Sequence, residues 1–119
     1  MKRFAAAVLL ALALPAHAGD WSYGDTRREA IYLTLHALDW AQTRTIARHP
    51  ERWTERNPIL GEHPSVGRVD RYFALTAVGH VGVAHALPPE WRKWFQRSTI
   101  TLEAVIVGRN RHLGIAVDF

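Results

Sequence analysis

The sequence predicts an all-α fold: a compact bundle of three main helices that follows a cleaved N-terminal signal peptide and ends in an extended C-terminal tail. Three observations carry this reading. Apolar residues recur at helical spacing over three separate stretches, and prolines and glycines cluster between those stretches. The chain also lacks cysteine, so no disulfide framework or thiol chemistry is available. A domain this small must then be held by helix packing, lipid, a partner or a bound ligand.

The N-terminus has the three regions of an export signal. Lys2 and Arg3 supply positive charge, Phe4 to Leu14 form an unbroken apolar run, and Pro15 interrupts it. Ala16-His17-Ala18 is a small-x-small cleavage site ahead of Gly19. The run is short for a span of ~20 residues, so cleavage is expected rather than retention as an anchor. Residues 1–18 are therefore read as the signal peptide and 19–119 as a single small helical domain. The expected address is the cell envelope, the inner membrane ahead of the soluble periplasm.

Without Lys2 and Arg3, the 15 basic side chains become 13 against 11 acidic ones, a net of +2. The charges are interspersed, as in Arg27-Arg28-Glu29, and no block of like charge exists. An electrostatic footprint for nucleic acid is absent, and nucleic acid is not expected as a partner.

After a short polar entry, Asp25 or Thr26 is the expected cap of the first helix, with Glu29 favourable near its N-terminus. That helix runs from about 26 to 48 and stops before His49-Pro50. Between 49 and 66 the breakers Pro50, Pro58, Gly61 and Pro64 make an irregular loop. Its motif of Asn57, Pro58, Gly61, His63 and Pro64 frames two large apolar residues, Ile59 and Leu60, expected to fold onto the core or into an interface. Ser65 caps a second helix over about 66–87, and Pro89 opens a third over about 89–108. Along the third, Trp91, Trp94, Phe95, Ser98, Leu102, Val105 and Ile106 share one face, and Arg92, Lys93, Gln96 and Arg97 the other. Gly79 and Gly82 are read as points of close helix approach. The tail alternates Leu113, Ile115, Val117 and Phe119 with smaller or polar residues.

The polar residues within these apolar stretches are the candidates for chemistry. Tyr32, His36, Asp39 and Thr43 lie on one stripe of the first helix, and His80 and Glu103 sit in apolar surroundings on the other two. Facing lipid, each ionisable one would be costly, so they are expected to point between helices. Two readings stand: an interhelical polar network of Tyr32, His36, Asp39, Thr43, His80 and Glu103, or a metal site built from His36, Asp39, His80 and Glu103. The network is preferred, because the pairs that mark zinc and di-iron sites are missing. Glu103 is expected to meet a cation or to share a proton with Asp39. No nucleophile elbow or phosphate loop is present, so no catalytic residue and no cofactor is assigned, and an enzyme is not expected. Glu51, Glu55 and Glu62 read as loop charges.

Asp39-Trp40-x-Gln42-Thr43-Arg44, Asn57-Pro58-Ile59-Leu60-Gly61-x-His63-Pro64-Ser65 and Val69-Asp70-x-Tyr72-Phe73 resemble segments of small signal-bearing helical envelope proteins. Such proteins occur in Gram-negative bacteria and in their phages or prophages, and the likeness extends through His80, Leu87-Pro88 and Glu103 to Gly114-Ile115. The resemblance implies a compact, phage-related envelope protein acting through contacts with a membrane or envelope protein, homo-oligomerisation included. It carries over no catalytic residue. The alternative is a periplasmic metal- or ligand-binding bundle using His36, Asp39, His80 and Glu103.

Overall fold

The computed structural model describes residues 21–117, so the expected signal peptide lies outside the described residues, as do Asp118 and Phe119. The described chain is helical, with no strand: α1 (Tyr23–Arg48), α2 (Val66–Ala86) and α3 (Pro89–His112). Ser65 caps α2 by accepting from the Arg68 N–H, and Pro89 occupies the first turn of α3. The start of α1 differs from expectation. Its cap is Ser22, in a reciprocal capping box with Asp25, rather than Asp25 or Thr26. At its far end α3 runs one turn past the expected stop, to His112, before Gly114 turns the chain at φ 85°.

α1 lies between the other two. Asp25 meets Arg92 and Gln42 meets Asn110, so α1 and α3 run parallel. Glu29 meets His80 and Trp40 meets Asp70, so α2 runs antiparallel to α1. The bundle thus has one end formed by the starts of α1 and α3 and the α2–α3 turn. The other end carries the 49–65 loop and the residues after α3.

The apolar core is small and split. Tyr32, Leu33, Ala77 and Val81 form one cluster with Ile100 against it. Trp40, Leu60, Val69 and Phe73 form the other. Leu60 is thus one of the two loop residues expected to fold inward, and it does, whereas Ile59 is 66% exposed. Gly79 and Gly82 do not mark close helix approach: a Cβ built at either meets nothing within 4 Å.

Polarity is inverted across the bundle. Among the described residues, thirteen polar or charged residues are buried against twelve apolar ones. On α3 the buried positions are Arg92, Gln96, Glu103 and Asn110, all on one helical stripe. Trp91, Trp94, Leu102 and Val105 are 59–67% exposed. The apolar face of this helix is therefore its outer one. α2 likewise exposes Leu75, Val78 and Val83, and α1 exposes Ile31 and Leu38.

Candidate functional site

At the end of the bundle where α1 and α3 begin, Arg92 is fully buried. Its guanidinium donates to the Asp25 carboxylate at 2.9 Å and to the carbonyls of Ala84 and Leu87. Gln96, also fully buried, donates to the Asp25 carbonyl and to Glu29, and accepts from Arg28 Nε. Trp21 closes this end, with the Arg92 guanidinium 4.8 Å from its ring centre and the His85 ring stacked on it at 3.9 Å. Burial works against the charge of Asp25, but the Ser22 N–H and Arg92 prevail and hold its carboxyl below the usual range.

One turn further in, Glu29 is fully buried against His80, with Nδ1 of the ring 2.8 Å from the carboxylate. The other ring nitrogen of His80 lies 2.7 Å from the Thr99 hydroxyl on α3. His80 belongs to a column of five rings crossing the bundle. Phe95 stacks on His80 at 4.4 Å and Tyr32 on His80 at 3.5 Å. His36 follows at 5.2 Å from Tyr32, then Phe73 at 4.8 Å from His36. His36 Nε2 is 3.2 Å from the Phe73 carbonyl, which can only accept, so that nitrogen carries a proton. Nδ1 then faces the Tyr32 hydroxyl at 3.4 Å. Burial and the nearby carboxylates Glu103 and Glu29 raise the Tyr32 phenol, so it remains a hydroxyl.

The third layer joins Asp39 on α1 to Glu103 on α3. Burial first, then the charge of Glu103 and a hydrogen bond with it, raise Asp39 to about 8, with Glu55 adding to the effect. Two carboxyls this close share one proton. Thr43 donates to Asp39 at 3.1 Å. Glu103 Oε2 is shielded from solvent and accepts no hydrogen bond; His36 Nδ1 stands 3.7 Å away.

Tyr32, His36, Asp39, Thr43, His80 and Glu103 are thus all buried, in two neighbouring layers rather than around one point. His80 bonds to Glu29 and Thr99, away from the Asp39–Glu103 pair. Among the described residues no group of three or more His, Asp or Glu is arranged to hold a metal ion. Sequence reasoning missed Asp25, Glu29, Arg92 and Gln96. Their signal was the i, i+4 spacing of Asp25 with Glu29 and of Arg92 with Gln96, which puts each pair on one helix face.

Below the third layer lies a cavity of ≈ 470 Å³, bounded by α1, α3, the loop and the residues after α3. Asp39 and Thr43 face it from α1, Trp53 to Asn57 from the loop, and Arg109 and Asn110 from α3. Ile115 closes one side, held by its N–H to the Asn110 carbonyl, while Thr45 donates to the Ala116 carbonyl at 2.7 Å. Glu55 is more than a loop charge. Its Oε1 accepts from the N–H groups of Arg56 and Asn57, and its Oε2 is shielded and accepts nothing. In the loop motif, Asn57 donates to the Tyr72 hydroxyl and its side chain caps the Ile59 N–H, Gly61 has φ 81°, and Pro64 is buried; His63 and Pro58 are exposed. Comparison with protein-family models, with curated proteins and with solved structures finds no match.

Proposed function

We propose that this chain is a phage-related component of the bacterial envelope that sits in lipid through its apolar exterior and acts through contacts with an envelope protein. One observation carries the reading: along the middle of the bundle the charges are inside and the exterior is apolar. From residue 29 to 43 on α1, 72 to 86 on α2 and 98 to 108 on α3, every Asp, Glu, Lys, Arg and His is buried. At 1.5 Å per residue these stretches are about 22 Å long on α1 and α2 and about 16 Å on α3, and with Glu29 beside His80 and Trp40 beside Asp70 they overlap in a shorter collar free of exposed charge. In water such a collar leaves apolar area unburied at about 25 cal/mol per Å². In lipid it costs nothing, and buried ionisable groups are the usual arrangement there.

Charge at the collar's edges favours lipid as the occupant. Exposed Trp91 and Trp94 stand at one edge beside Lys93 and Arg97, the placement of interfacial aromatics and cations. The other end carries eight arginines (44, 48, 52, 56, 68, 71, 109 and 111) against Glu51, Glu55, Glu62 and Asp70, which complements anionic headgroups. No helix among the described residues is long and apolar enough to cross a membrane. The collar falls short of the ~30 Å hydrocarbon thickness, which supports a bundle seated in the lipid boundary.

Expression of a C-terminally tagged copy with cell fractionation tests this. The protein is expected in the membrane fraction, resistant to high salt and released by detergent, with its mass placing the N-terminus at Gly19. Leu102→Glu with Val105→Glu is expected to move it to the soluble fraction with helix content retained. A parent protein that is soluble without detergent overturns the lipid reading. If it is then an oligomer that the double variant dissociates, the collar is covered by copies of the chain.

A further inference from the structure

Thr34, Ser98 and Thr101 each donate to the carbonyl one turn earlier on their own helix. Two other helix hydroxyls also meet an imidazole. Thr76 Oγ1 lies 2.9 Å from His36 Nε2, and Thr99 Oγ1 lies 2.7 Å from His80 Nε2. The two pairs differ in where the ring proton sits. His36 Nε2 carries a proton directed at the Phe73 carbonyl, so it cannot take one from Thr76. In His80 the opposite nitrogen, Nδ1, faces a Glu29 oxygen at 2.8 Å. The other Glu29 oxygen accepts from the Gln96 amide at 3.0 Å. A carboxylate only accepts, so Nδ1 holds the proton, and the neutral ring turns a lone pair toward the Thr99 hydroxyl.

Glu29, His80 and Thr99 thus stand in the order carboxylate, imidazole, hydroxyl, one from each helix. This is the arrangement of an orienting group, a base and a nucleophile. Burial fixes the inner two, Glu29 being fully buried and His80 6% exposed. The His80 ring is clamped between those of Tyr32 and Phe95, at 3.5 and 4.4 Å. Thr99 is half-buried, where α3 faces α2. Approach to it is apolar. One turn along their helices from His80 and Thr99, Val83 and Leu102 are exposed, and Gly79 beside His80 leaves open space.

We infer that Thr99 is an acyl-acceptor hydroxyl for fatty-acyl esters, with His80 as its general base and Glu29 as the positioning residue. Thr99 Oγ1 attacks the ester carbonyl carbon and gives its proton to His80 Nε2. The bond from that carbon to the alcohol oxygen then breaks, and the alcohol leaves with the proton. The product is acyl-Thr99, formed once per chain. None of this rests on the lipid reading, because helix packing places the three side chains and the approach is apolar in either solvent. The groups facing His80 are Glu29 and Tyr32 from α1 and Phe95 and Thr99 from α3. A second proton on His80 would occupy Nε2 and turn the Thr99 hydroxyl back to the carbonyls of Phe95 and Gln96, 2.9 and 3.1 Å away. Acylation should therefore slow in acid.

Incubation of the purified full chain with p-nitrophenyl octanoate tests this, followed by nitrophenol release and peptide mass mapping. A stoichiometric burst is expected, with the octanoyl group on Thr99 and a rate that declines in acid. Thr99→Ser should retain the burst and Thr99→Val abolish it. His80→Gln should slow it at least about a hundredfold, the lower end for loss of a general base. Ser98 and Thr101 are exposed hydroxyls on the same helix and should stay unmodified. No burst from the folded parent, or octanoyl on Ser98 or Thr101 in place of Thr99, overturns the inference. So does an unchanged rate in folded Thr99→Val or His80→Gln.

Discussion

Replacing Arg92 with Met is expected to cost about 3–5 kcal/mol of folding stability, the range for removing one partner of a buried ion pair. Met retains much of the volume, so the loss is electrostatic. It leaves the Asp25 carboxylate, 3% exposed, with Arg28 as its remaining guanidinium partner, and removes the donors to the carbonyls of Ala84 and Leu87. Asp25→Leu combined with Arg92→Met should recover only part of the loss, because the apolar pair carries no desolvation cost but Asp25 also closes the Ser22 capping box and pairs with Arg28. Denaturant titration in mild detergent, followed by circular dichroism, measures both. Asp25 has its pKa lowered in the folded state, so its contribution is present above the ordinary carboxylate range and is lost as pH falls through the folded value. The difference between parent and Arg92→Met should therefore shrink under acid. Equal stability of parent and single variant at neutral pH would contradict the polar core.

The second large effect concerns Asp39 and has the opposite sign. Its pKa is raised in the fold to about 8, against ~3.9 in an unfolded chain. Over that interval the folded state holds a proton that the unfolded state has lost. Stability therefore declines as pH rises from about 4 to about 8, with a slope approaching 1.4 kcal/mol per unit. Asp39→Asn retains the shape, supplies a permanent N–H donor to Glu103 and removes this titration. The variant should match the parent near pH 4 and exceed it by a margin that grows to pH 8. Parallel pH profiles for the two would show that the carboxyl is already ionised in the fold.

Much of the bundle was legible because its signals are local. Ser65 and Pro89 sit one residue ahead of the helices they start or inside their first turn, and Pro50 and Pro64 bound the loop. Spacing put Tyr32, His36, Asp39 and Thr43 on one stripe, and all four are buried. Ser22 lacks the usual cap signal because its box partner at N3 is Asp25 rather than Glu or Gln. The larger miss has a physical cause. Periodicity tells which residues share a face but not which face turns inward; that depends on the solvent. Arg92 and Gln96 read as the outer side of α3 beside Lys93 and Arg97, yet they are its most buried residues. Glu29 read as a charge favouring a helix start, while its partner His80 lies 51 residues away and leaves no trace in local spacing.

The central claim, that the apolar collar along the middle of this bundle faces lipid while the charges at that level face inward, is open to one direct measurement. The chain has no cysteine, so single cysteines at Leu75, Val83, Leu102 and Val105, with Arg71 and Lys93 as controls, can each carry a nitroxide. In proteoliposomes of anionic lipid, paramagnetic accessibility should be high to oxygen and low to a water-soluble nickel complex at the four collar sites. The order should reverse at the two controls. High nickel accessibility at all four collar sites in the folded protein would contradict the account.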